Sequence, residues 1–359
     1  MVQPGRMRTV DRKFYAAALA ALAMLVAASA VYAQGGWKEL APVSCPSPAP
    51  CPSEGMTVGG VGEVIVGAYG FSRFSRLSGG DQRLTRLYHI NRNYWSLGAP
   101  APAPARAEQA YGESMHGGSL YVIGGRSGGC AGDACDNVER YHVARNTWET
   151  LTPMPTPRAA AAAAVRGDAI YVAGGREGGD GPCSADALDV VERYDIHSDG
   201  WSTVASLPSP RSDAAAVEHG GKVYVFGGCA GGAFLDDVFV YDPETDTWSS
   251  KTPMPTARAS LVAGHLGDKV YAIGGWAGGP PLDVNEVYDI ESDSWSTATP
   301  IPTGRGEAGV YSHGDRLYVV GGSLPAFGAA TDANEVFKPH PGVPGHGHGH
   351  DHDHGHGHD

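Results

Sequence analysis

The chain has 359 residues, a 42% hydrophobic fraction, 52 glycines, 26 prolines and a formal net charge of −13. That hydrophobic fraction is enough for a core, so the glycine and proline load is turn chemistry rather than a signature of disorder. The acidic balance argues against a nucleic-acid partner, which calls for a basic surface.

Residues 1–33 read as a secretory signal. Arg6, Arg8, Arg12 and Lys13 form a positive n-region, and Phe14 to Ala30 is an Ala/Leu-rich apolar run. Val31-Tyr32-Ala33 before Gln34 supplies a small-residue cleavage site. Retention as an uncleaved anchor is the rival reading, because the run is about long enough to span a bilayer. Its alanine content makes it only weakly hydrophobic, which favours cleavage. A cleaved chain is periplasmic or secreted, free of the membrane, and carries a charge of −16 (22 basic minus 38 acidic groups).

Export permits disulfides. Of the six cysteines, Cys45/Cys51 and Cys130/Cys135 are close enough for local staples. Cys183 and Cys229 fall in equivalent loops of neighbouring repeats and can bridge them. A metal cluster is the weaker reading, since no paired C-x₂-C spacing is present.

Between Gln34 and Pro339 one phrase recurs. A tyrosine in a β-rich run leads to Gly-Gly, a variable loop, a second aromatic strand and an acidic turn into Trp. It is cleanest at Val270-Tyr271-Ala272-Ile273-Gly274-Gly275, with Tyr288 and Trp295. Other copies begin at Tyr121, Tyr171 and Tyr224, and end at Trp148, Trp201 and Trp248. The first copy is worn: in Val64-Ile65-Val66-Gly67-Ala68, Ala68 stands for the second glycine and Val64 for the tyrosine, before Tyr88 and Trp95. The last, Tyr318–Gly322 with Phe337, stops short of its Trp, and Trp37 looks like the missing end. Steps of 53, 53, 47 and 47 residues separate Trp95, Trp148, Trp201, Trp248 and Trp295. A period near 50 marks a repeat architecture.

In the fifth unit, strands are expected near Ala259–Ala263, Val270–Ile273 and Glu286–Asp289 and from Trp295, with Gly267-Asp268 as the first hairpin turn. Four antiparallel strands repeated six times predict an all-β, six-bladed propeller over residues 34–339, its last blade closed by the Trp37 strand. Residues 340–359 form a disordered, His-rich tail outside it. Loops joining the second to the third strand gather on one face, where binding function usually lives.

The Gly-Gly, Tyr and Trp of this phrase resemble the kelch family, of the exported bacterial type and like the central domain of galactose oxidase. The resemblance implies a monomeric ligand- or protein-binding module whose partner is an extracytoplasmic protein, peptide or anionic glycan. Exported six-bladed kelch proteins also include mutarotases of sialic acid, an anionic sugar, which gives the alternative of an enzyme. Copper-radical oxidases share the propeller but need a Tyr–Cys cross-link, further ligands and extra domains that cannot be assigned here.

Candidate site residues lie between the copies of the phrase. Arg106, Arg158, Arg211, Arg258 and Arg305 stand at the start of the first strand in five units and are expected to ring the channel mouth. Two residues on come Glu108, Ala160, Asp213, Ser260 and Glu307, expected on the same side of the strand. One reading is an internally neutralised collar. The other is a pocket for an anionic ligand, with Trp276 nearby and Glu108, Asp213 or Glu307 moving the proton in the enzyme case.

His116, His219, His265 and His313 fall at the turns of the opposite face, too dispersed to share an ion. In the tail, His346, His348, His350, His352, His354, His356 and His358 alternate with Gly or Asp. Imidazoles so spaced suit zinc, nickel or copper. No cofactor is otherwise required. A nucleophile elbow, an H-E-x-x-H helix and a phosphate loop are absent from the sequence.

Overall fold

A computed structural model describes residues 35–43, 55–70, 83–104, 110, 112, 114–127, 130, 134–178, 183, 185–324 and 329–339. The signal segment, Cys45, Cys51, Arg106, Glu108 and the histidine tail lie outside the described residues. Six four-stranded antiparallel sheets form the six blades of an all-β propeller. The innermost strands are Thr57–Val61, Met115–His116, Ala162–Arg166, Ala215–His219, Val262–Leu266 and Gly309–His313. They are short and rich in small residues, as inner strands near a propeller axis must be. Among the described residues, no helix is long and apolar enough to cross a membrane.

The ring closes as expected. Gly36–Glu39 pairs antiparallel with Asn334–Lys338, placing Trp37 opposite Phe337, and so becomes the outer strand of blade six. The two rings lie 5.0 Å apart. Blade one departs from expectation by two residues. Gly67 and Ala68 are paired inside its second strand, opposite Arg86 and Thr85. The doublet position is filled instead by Tyr69-Gly70, at φ 58° and 93°, matching Gly174-Gly175 at 64° and 97°. Val66, not Val64, therefore replaces the strand-two tyrosine.

Elsewhere the first glycine of the doublet is demanded by close approach. A Cβ on Gly174 would lie 2.4 Å from the Arg211 carbonyl, and one on Gly274 2.2 Å from that of Arg305.

The Tyr–Trp phrase fastens each blade to the one before it. Each fourth-strand Trp donates its indole N–H to the carbonyl four residues beyond the preceding fourth-strand Trp: Trp95 to Ala41, Trp148 to Ala99, Trp201 to Thr152, Trp248 to Ala205 and Trp295 to Thr252. Trp37 completes the circle by donating to Thr299 at 2.8 Å. At Ala41, Ala99, Thr152, Ala205 and Thr252 the backbone N–H of the same linker residue is taken by an Asn or Asp of the following blade. Thus Ala205 donates to Asp246 Oδ1 at 2.8 Å and Thr252 to Asp293 Oδ1 at 2.9 Å. That Oδ1 also receives the strand-three tyrosine hydroxyl, as from Tyr241 and Tyr288, each at 2.6 Å. Asn93, Asn146, Asp199, Asp246 and Asp293 all sit at left-handed φ between 49° and 53°, a conformation Asn and Asp tolerate best after Gly. The acidic turns are thus clips between blades.

The clip has a pH signature. The Tyr241 hydroxyl, then the Ala205 N–H, hold the Asp246 carboxyl below its ordinary 3.8. A folded-state pKa below the unfolded one stabilises above about pH 4 and loses that contribution as pH falls through the folded value. Asp246→Asn keeps the acceptor and cannot titrate. Its urea midpoint should fall less than wild type between about pH 4 and pH 2.5; parallel acid limbs would remove Asp246 from the clip.

Candidate functional site

The four collar arginines in the described residues do not open onto the channel. Arg158, Arg211, Arg258 and Arg305 are each at most 2% exposed. Each main chain docks on the preceding blade: Gly175 N–H donates to the Arg211 carbonyl and Gly228 N–H to that of Arg258, at 2.9 and 3.0 Å. Each side chain turns back into its own blade. Arg158 Nη1 meets Glu192 Oε2 at 2.6 Å, while Arg258 and Arg305 pair in the same way with Glu286 and Glu335. A second guanidinium nitrogen donates to a strand-two carbonyl, that of Val172, Ala272 or Val319. Thr156, Thr256 and Thr303 give their hydroxyls to the other carboxylate oxygen.

Blade four substitutes Phe239 for the glutamate. Arg211 there lies 4.3 Å over the ring and reaches Asp237 at 3.4 Å. Burial pulls these guanidiniums below their usual pKa, and the Glu192, Glu286, Glu335 and Asp237 partners pull the other way.

The expected collar is corrected in two respects. Arg158, Arg258 and Arg305 are neutralised by third-strand glutamates and Arg211 by Asp237, rather than by the carboxylates two residues on, and all four are enclosed rather than displayed. The reason lies in the backbone. Ala160, Asp213, Ser260 and Glu307 take left-handed φ between 53° and 58°, so strand alternation does not yet apply to them. These four form a circumferential hydrogen-bonded arc instead. Asp213 N–H donates to the Ala160 carbonyl, Ser260 to Asp213 and Glu307 to Ser260, at 2.7–2.9 Å.

The Asp213 carboxylate is itself consumed, by Arg176 at 2.6 Å and the Ser212 hydroxyl at 2.7 Å. Glu307 stands half-buried at the equivalent place. Trp276 is half-buried and bridged to Ala259, its indole nitrogen so close to Gly306 that a Cβ there would come within 2.2 Å. The glutamates were the missed partners. Their signal was a glutamate repeated two positions before the third-strand aromatic: Glu192, Glu286 and Glu335.

The channel waist is lined by small or apolar side chains including Met56, Val58, Ala215, Leu261, Ala263 and Val310, and leaves a cavity of ≈ 10 Å³. That is room for about one water molecule. Toward the opposite face a cavity of ≈ 140 Å³ is lined by Gly59, Met115, Val165, Glu218, Tyr311 and Ser312. Three rim histidines meet acids of the next blade: His116 with Asp168, His219 with Asp268 and His313 with Glu63, at 3.1, 3.1 and 3.5 Å. His219 and His265 are closer than expected, with rings 5.7 Å apart. Among the described residues, no three His, Cys, Asp or Glu side chains are placed to hold a metal.

Two cross-links fasten described loops of the other face. Cys130–Cys135 and Cys183–Cys229 are disulfides, the second joining the loops of blades three and four. Gly232 N–H adds a bond to the Cys183 carbonyl at 2.9 Å. Four-stranded blades, an enclosed charge collar and two disulfides define a six-bladed propeller.

A family model described as the KLHDC2/KLHL20/DRC7 Kelch-repeats domain matches residues 113–322. The chain therefore belongs to the kelch-repeat family, whose propellers are typically protein-binding modules. Among curated proteins it is similar to Kelch-like protein 40 of Xenopus tropicalis, 29% identical over 43% of this chain and 24% of that protein. Kelch-like protein terF of Aspergillus terreus is 30% identical over 50% of this chain and 39% of its own length. The chain thus spans well under half of these relatives. Among solved structures, that of YjhT superposes with a TM-score of 0.66 and 19% identity, covering 80% of this chain and 95% of the other, a likeness of fold alone.

Proposed function

We propose that the chain is an exported, non-catalytic binding propeller that holds an extracytoplasmic protein or peptide on its loop face. The enclosed collar carries this reading: among the described residues, Arg158, Arg211, Arg258 and Arg305 and the Asp213 carboxylate, which would recognise an anionic sugar, are spent inside the blades. The net charge of −16 of the chain without its signal (22 basic minus 38 acidic groups) also disfavours an anionic glycan. Proximity labelling by the full chain in its native organism, followed by calorimetry with the labelled protein, tests it. Direct binding at roughly micromolar Kd is the expected outcome. A proton-NMR anomerisation rate above buffer on sialic or uronic acids would establish the enzyme alternative in its place.

The tail extends the proposal to a divalent metal, zinc, nickel or copper, held by alternating imidazoles from His346 to His358. Zinc or nickel uptake measured by calorimetry should disappear when residues 340–359 are removed. It should weaken as pH falls through about 6.5, where imidazole protonates. Equal uptake with and without the tail would refute a tail site.

A further inference from the structure

We propose that the loops of blades four and five form one docking patch for a protein segment that carries an apolar side chain flanked by lysines or arginines. This rests on the binding-module reading and names the chemistry of its partner. The two loops are near copies. Ala-Gly-Gly recurs at 230–232 and 277–279, followed by Ala233-Phe234-Leu235 in one and Pro280-Pro281-Leu282 in the other. In both, the leucine N–H closes the loop on the second glycine of its doublet, Leu235 on Gly228 and Leu282 on Gly275, at 2.9 and 2.8 Å.

The loops also touch each other. Phe234 leans over blade five, where a Cβ on Gly278 would lie 3.4 Å from its ring. The first loop is a short hairpin, Cys229–Ala230 against Ala233–Phe234, anchored at its base by the Cys183 disulfide. Its tip and that of the second loop are exposed, with Phe234, Pro281 and Leu282 half-buried. Such an apolar surface, held rigid before a partner arrives, loses little entropy on binding.

Charge decides the partner. Residues 229–237 and 276–284 contain no lysine or arginine, and their only charged residues are Asp236, Asp237 and Asp283. Asp237 is engaged by Arg211. Asp236 and Asp283 are exposed and their carboxylates pair with no described residue; their carbonyls accept the Met254 and Ile301 N–H, a bond that Asp136, Asp189 and Asp332 repeat in other blades, so it is the apolar loop tip beside the carboxylate that sets these two blades apart. An apolar centre beside unpaired carboxylates is the pattern of an interface core with a charged rim. It selects a cationic rim on the partner and repels an anionic one.

The test is selection of a random dodecapeptide phage library on the full chain, followed by binding of the enriched peptides to Asp236→Asn/Asp283→Asn and to Phe234→Ser. All of these positions are on loops, and unchanged melting of the variants checks their folding. Expected are peptides with Lys or Arg around an aromatic or aliphatic residue. Their affinity should fall about tenfold on either variant, with a shallower salt dependence for the double variant. Enriched peptides that bind both variants like wild type would overturn the patch and leave the binding-module reading standing. Peptides of acidic or unbiased composition would overturn its charge logic. Recovery of no peptide, together with turnover of a sugar acid, would overturn patch and module alike.

Discussion

Glu286→Ala is expected to cost about 3–5 kcal/mol, because it leaves the Arg258 guanidinium buried without its counter-charge. Arg258 would keep the Thr256 and Ala272 carbonyls, at 2.9 and 3.0 Å, but no anion, and the Thr256 hydroxyl would lose its acceptor. Urea denaturation reads the loss directly. Arg258→Met/Glu286→Leu should recover much of it, since an apolar pair of similar volume removes both desolvation costs together. A scaffold role requires this order: single variants poor, the double variant better. If Glu286→Ala and Arg258→Ala melted like wild type while losing a ligand, the collar would be a binding device after all.

The second large effect concerns closure. Removing residues 35–40 strips the outer strand from blade six, exposing the edge of Asn334–Lys338 and deleting Trp37. Trp37 packs on Phe337 and binds the Thr299 carbonyl, so its loss breaks contacts within blade six and with the linker from blade five. Truncation of a well-packed Trp costs about 3–5 kcal/mol, which for a chain of this size is about 5–8 °C in melting temperature. An exposed edge adds aggregation. A synthetic peptide of residues 34–43 should restore part of the lost melting temperature when added in excess. Unchanged melting of the truncated chain would mean that the ring closes without this strand.

The repeat and its closure were legible because they rest on large residues at fixed spacing. Trp37 without a beginning and Phe337 without an end are complementary halves of one unit. Blade one was misplaced by two residues because Val64-Ile65-Val66-Gly67-Ala68-Tyr69-Gly70 offers two candidate doublets. Only backbone conformation shows that Tyr69 takes the left-handed place a glycine holds elsewhere. The fate of the arginines was illegible for a different reason. Their glutamates lie 28 to 34 residues further on, a separation set by loop length and not by any local period. The clips were half legible: the acidic turns stood out, but their bond to a linker of the preceding blade is a tertiary contact.

Among the described residues, what recurs in this chain is scaffold, and the differing loops 229–237 and 276–284 have exposed tips. Hydrogen–deuterium exchange on the full chain, with and without a protein captured by it, tests that division most directly. Slowed exchange on binding is expected in residues 229–237 and 276–284. Slowed exchange confined to the inner strands Ala162–Arg166, Ala215–His219 and Val262–Leu266 would place the partner in the channel and contradict it.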